Sequence, residues 1–214
     1  KMVSAYQNRR WDADHLSALD TVRSGVLGEI FFTKQLSMSY SSVMRTYGVP
    51  EFRPQWRAEK RYGGGLLYDF GAHRIDQLLQ LLDWPAVRDV YADLKSCLWS
   101  DEVDDCCLLV IRFANGVTSQ VETTTVARLG FSGTVIAGRE GTYRDGVIKI
   151  GSGDEQVETA ARQFERDWDA FYRNIHAHLT GGAPLAVPLA QTRQMIAIID
   201  AALRSAESGQ AVAF

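Results

Sequence analysis

The dipeptide Asn115-Gly116 constrains the fold of this chain more than any other feature. It lies between two alternating runs, Asp105–Phe113 and Val117–Val126, and is expected to join them as a two-residue hairpin. Asn and Gly both accept the positive φ of such a turn, so the two runs pair antiparallel. A further strand is expected near Val87–Cys97, and Gly133–Gly138, Gly141–Arg144 and Val147–Ile150 extend the meander through Arg139-Glu140 and Asp145-Gly146. Glu29–Ser41, rich in β-branched and aromatic residues, reads as one long strand. Helices are expected from Asp12 or Asp14 to about Arg23, after Asp69, over Ala160–Thr180 and over Leu189–Ser208. They fall at the start, middle and end of the chain, where they can cover one face of a sheet. The fold class is therefore α+β, a large and predominantly antiparallel sheet with helices on one face. The second face is expected to carry Val117 and Val121, and an antiparallel sheet can leave such a face to water.

Elsewhere the pattern is looser. Met2–Tyr6 reads as a strand already under way, Val43–Arg61 as a long irregular loop and Gly151–Glu158 as a loose polar one. A chain of 214 residues, 46% hydrophobic and 23% charged, buries a substantial core as one domain. Its net charge of −3 offers no attraction to nucleic acid or an anionic membrane, and neither is expected as a partner. No apolar run approaches the roughly 20 residues of a membrane-spanning helix. Cys97, Cys106 and Cys107 form neither a disulfide framework nor a CxxC knuckle, and they read as buried thiols of a reducing cytoplasm.

The candidate chemistry lies in Tyr62–Leu82. On a helix advancing about 100° per residue, Asp69, His73, Asp76 and Gln80 share one narrow stripe. Ile75, Leu78, Leu79 and Leu82 occupy the opposite arc. A carboxylate and an imidazole four residues apart are neighbours, which sets two proton-transferring groups side by side. Gly63-Gly64-Gly65 lets backbone or ligand approach the end of this helix. The plainer reading of the stripe is an amphipathic helix with a solvated polar face. His176 and His178 are two apart and point to different faces, and His15 sits in a first helical turn, so all three read as surface residues. No metal site is expected, since one histidine and two carboxylates on a single helix do not surround an ion.

Gly63-Gly64-Gly65-Leu66-Leu67-Tyr68-Asp69-Phe70-Gly71-Ala72-His73-Arg74-Ile75-Asp76 resembles the G-G-G-x-L-x-D-x-G-x-H-x-x-D signature of the Gfo/Idh/MocA oxidoreductases. Gln7–Asp12, Ser24–Ile30 and Ala201–Gly209 resemble, in order, the family's domain junction, the turn into its first long strand and its closing helix. The resemblance implies a two-domain enzyme whose N-terminal Rossmann domain is absent here. Residues 1–10 would be the end of that domain, including its last strand, and residues 11–214 the C-terminal substrate-binding and oligomerisation domain. It implies an open-faced sheet that pairs subunits, giving a homo-oligomer, dimer or tetramer. It also implies an NAD- or NADP-dependent oxidation of a sugar, polyol or related hydroxy compound in the cytoplasm, with the cofactor held mainly by the missing domain. His73 would be the base for the substrate hydroxyl and Asp69 would orient it. Asp76, Arg9, Trp56, Arg57 and Tyr62 would bind substrate. A non-catalytic, sugar-binding or regulatory member of the same family is the alternative.

Overall fold

A computed structural model describes residues 2–41 and 56–214. Among these residues nine strands form one mixed sheet: β1 (Ile30–Tyr40), β2 (Val87–Lys95), β3 (Cys106–Phe113), β4 (Thr118–Thr124), β5 (Val126–Gly138), β6 (Gly141–Arg144), β7 (Val147–Ile150), β8 (Val157–Ala160) and β9 (Val212–Ala213). Their spatial order is β8-β7-β6-β5-β1-β4-β3-β2-β9. A hairpin joins β3 to β4 at Asn115-Gly116, but its loop is the three residues Ala114–Gly116, closed by the Phe113 amide on the Val117 carbonyl, and of the dipeptide Gly116 alone takes a positive φ, 89°. Every neighbouring pair is antiparallel except β1 with β4, which run parallel in the middle of the sheet.

The α-helices are α1 (Ala13–Arg23), α2 (Ala72–Leu81), α3 (Asp169–Gly181) and α4 (Leu189–Ser208). Ile75, Leu78 and Leu79 of α2 and Met195, Ile198 and Ala202 of α4 pack onto Val90, Leu109, Ile111 and Val121 of the sheet. A second cluster joins Ala18 and Leu19 of α1 to Ile136, Tyr143 and Ile148. Val117 and Val121 therefore lie under the helices, not on the second face. The register explains why: Val121 stands opposite Leu109 and Gln35, all facing the helices. The uncovered face takes the other parity, with Leu36 and Met38 of β1, Gln120 and Glu122 of β4, and Phe131 of β5.

Several expectations shift. Residues 2–6 form no strand, since a lone segment has no ladder to join, and Ser4 Oγ instead donates to the Val187 carbonyl. Neither candidate cap works through its side chain: the Asp12 carboxylate accepts from Trp168 and Arg9, and Asp14 accepts from the His15 amide. β8 occupies part of the stretch read as loose, and α3 starts at Asp169 rather than near Ala160. Of the cysteines only Cys107 is buried, while Cys97 is exposed. Most of the loop expected over Val43–Arg61 lies outside the described residues. No described helix is long and apolar enough to cross a membrane.

Candidate active site

The signature segment does not fold as one regular helix. Leu67–Gly71 makes a single widened, π-type turn, and α2 continues from Ala72. An extra residue in a turn rotates everything before it about the helix axis. Asp69 is thereby carried off the stripe, and its Oδ2 accepts from Arg57 Nε at 2.8 Å. His73 is instead held by Gln7, whose Oε1 lies 2.6 Å from Nδ1. With Nδ1 as the donor, Nε2 of the imidazole keeps its lone pair. Burial, and then the Arg9 charge, push the His73 pKa down to about 4, so the ring is neutral near pH 7.

Three side-chain contacts dock the turn Asn8–Trp11 onto α2: Gln7 to His73, Gln77 Nε2 to the Arg9 carbonyl at 2.6 Å, and Arg10 to Asp76. The last is a two-pronged ion pair, with Nε and Nη2 each 2.7 Å from a carboxylate oxygen. Asp76 is only 1% exposed. Burial pushes its carboxyl above the ordinary range, with Arg10 opposing the rise. Both of its oxygens are used, which leaves Asp76 inside the protein and away from any substrate hydroxyl. Arg10 also reaches the Ala186 carbonyl and Gln191 Oε1, so the pair ties α2 to the start of α4. Gln80 completes the inner stripe by holding His15 at 2.7 Å. His15 is thus buried, against expectation.

A cavity of about 430 Å³ gathers Tyr6, Asn8, Arg9, Arg57, Asp69, Phe70, His73 and Trp168. Four of the expected residues, Arg9, Arg57, Asp69 and His73, meet on its wall. Trp56 lines a smaller adjoining hollow of about 140 Å³ beside the three glycines. Tyr62 is exposed beneath the Arg61 guanidinium and lines neither. Sequence reasoning missed Gln7, Asn8 and Tyr6 as individuals, although it marked their neighbourhood. It missed Trp168 altogether. The indole N–H of Trp168 donates to Asp12 at 2.7 Å, and the Arg9 guanidinium stands 5.1 Å from its ring. Nothing local in the sequence joins residues 156 positions apart.

The arrangement can hold a polar ligand between two arginines and aromatic rings, with one neutral imidazole facing it. Among the described residues, no group of three or more His, Cys, Asp or Glu is placed to hold a metal ion. Nor do the described residues include a strand, glycine turn and helix in the order a dinucleotide pyrophosphate requires.

Residues 15–144 match the profile described as the GFO/IDH/MocA C-terminal domain. The chain is 24% identical to the uncharacterized oxidoreductase YdgJ of Escherichia coli K12, covering 97% of this chain and 64% of that protein. It is 25% identical to the scyllo-inositol 2-dehydrogenase (NADP(+)) IolW of Bacillus subtilis, covering 99% and 64%. A solved structure of an NAD-binding protein from Listeria innocua superposes with a TM-score of 0.79 at 26% identity, covering 99% of this chain and 66% of that one. The chain thus spans a little under two thirds of the length of these curated relatives.

Proposed function

The chain belongs to the GFO/IDH/MocA oxidoreductase family through the C-terminal domain matched over residues 15–144, and from that premise we propose that it is the substrate half of a nicotinamide-dependent oxidoreductase. The substrate is a secondary alcohol on a sugar, polyol or related hydroxy compound, as the inositol dehydrogenase relative suggests. The observation that carries this reading is the single cavity holding His73 with Arg9, Arg57 and Asp69.

In this reading His73 Nε2 takes the hydroxyl proton while Gln7 holds the ring from Nδ1. Arg57, fixed by Asp69, and Arg9, stacked on Trp168, orient the substrate oxygens. Asp69 acts on the imidazole at most through space, because its hydrogen bond goes to Arg57. Asp76 acts one step further back, by fixing Arg10 and the turn that presents Gln7. NAD or NADP, when bound, would supply the hydride acceptor, and its pyrophosphate would be held by a nucleotide domain ahead of residue 11. A second copy covers the open face of the sheet, and the cytoplasm is the compartment.

The test is nicotinamide reduction by the full-length protein across a panel of sugars and polyols. His73→Gln should lower kcat by roughly 10²–10⁴-fold, as for a lost general base. Unchanged turnover in that variant would falsify the assignment of His73. Substrate binding without any nicotinamide reduction would favour the regulatory alternative.

A further inference from the structure

The three glycines lead straight into the widened turn, and the third carries an unusual arrangement. Gly65 has φ +119°, a conformation L side chains rarely adopt, and occupies the position before the first helical residue. That is where a Ser, Thr, Asp or Asn side chain would ordinarily accept from the free amides of a helix start. Glycine has no such group. The acceptors come instead from Asp104, just before β3: its Oδ2 accepts from the Leu67 amide at 2.8 Å and its carbonyl from the Leu66 amide at 2.9 Å. A Cβ on Gly65 would lie 2.5 Å from Asp104 Oδ1, so the missing side chain is the space the carboxylate fills. Burial pushes the Asp104 carboxyl up to about 6, and it is ionised at pH 7.5. A carboxylate at that place also meets the positive end of the helix dipole.

We propose that Asp104 is a positioning residue for the candidate site: with Gly65 it caps, from the segment just before β3, the turn that aims Asp69 at Arg57 and leads His73 into the cavity. The proposal rests on the reading of Asp69 and His73 given above. Its neighbour works in parallel. The Asp105 carboxylate accepts from the amides of Cys97, Leu98 and Trp99 at 2.7–2.8 Å. Ser100 Oγ in turn donates to the Ala58 carbonyl, next to Arg57. Two adjacent carboxylates before one strand thus brace the start of the turn that carries Asp69 and the neighbouring segment that reaches Ala58. Neither residue reaches the cavity itself.

The experiment is amide hydrogen exchange at pH 7.5 on the full-length protein, wild type against Asp104→Ala, Asp104→Asn and Gly65→Ala, with steady-state kinetics alongside. Asp104→Ala should speed exchange over residues 66–72 about tenfold and lower kcat by a similar factor, with exchange in α4 unchanged. Asp104→Asn keeps an acceptor oxygen and should restore both to within about threefold of wild type. Gly65→Ala should reproduce the alanine effect with the carboxylate still present, because its Cβ displaces it. Exchange that rises equally in 66–72 and α4 would overturn the proposal, as would loosening of 66–72 with unaltered turnover. Should Asp104→Ala fail to fold, the same comparison in Gly65→Ala decides. The exchange readout needs no substrate, so it separates failure of the cap from failure of the functional reading.

Discussion

At the scale of single residues, the helix stripe divides into two fates that the spacing alone could not separate. Asp76 and Gln80 turn inward to Arg10 and His15, whereas His73 stays on the cavity wall. The difference predicts opposite phenotypes. Asp76→Asn strands a buried guanidinium, and removal of one partner of a buried pair typically costs about 3–5 kcal/mol. Denaturant unfolding of wild type and variant should show a loss of that order; a loss under about 1 kcal/mol would mean that the Arg10 pair contributes little. His73→Gln, in contrast, should leave stability nearly unchanged. The residue types of the site were legible from the signature, because glycines, Asp69, His73 and Asp76 recur in its order and spacing over Gly63–Asp76. Their partners were not. Gln7, Arg10 and Trp168 become neighbours of the site only through tertiary contacts spanning 66 or more positions.

At the scale of elements, α1 and α2 are joined by a histidine that must stay neutral. Burial pushes the His15 pKa down to about 4 against a model-peptide value of 6.5, with its bond to Gln80 opposing the fall. A depressed folded value means that the unfolded chain binds the proton more readily between those limits. Stability is then full above about pH 6.5 and declines as pH falls to 4, by on the order of 3 kcal/mol for this one group. His73 acts in the same direction, and Asp104, raised to about 6, acts in the opposite one. Urea melts at pH 7.5 and 5 should show the decline, and His15→Gln should flatten it; an unchanged slope in the variant would remove His15 as its source. Most elements were legible in the sequence, because strand alternation and turn dipeptides are local signals. The π-type turn was not. It depends on Asp104 and Gly65 meeting across a distance that no periodicity reports. The start of α3 was missed for a similar reason: the stretch before it is tied by the Asp167 amide to the Trp11 carbonyl rather than by helical bonds.

At the scale of the whole molecule, the helices among the described residues leave one broad side of the sheet bare. Leu129 is 89% exposed and Phe131 59%, with Leu36 and Met38 half-buried alongside them. Apolar ground of this kind usually meets a partner. Sedimentation should therefore find the protein self-associated at micromolar concentration, and Phe131→Glu should return it to monomer without lowering its melting temperature. A monomeric wild type would sink that expectation. The middle of the same sheet has a consequence for how the chain comes to be folded at all. β1 precedes the other eight strands of this sheet in the chain, yet its two neighbours, β4 and β5, follow only after Val117. Phe32 waits for Thr118 and Met38 for Phe131. The backbone at the heart of the molecule thus remains an open template until well over half of the domain has left the ribosome. Sheets closed by such remote pairings form slowly, and an unsatisfied apolar strand is a place where two nascent chains can seize one another.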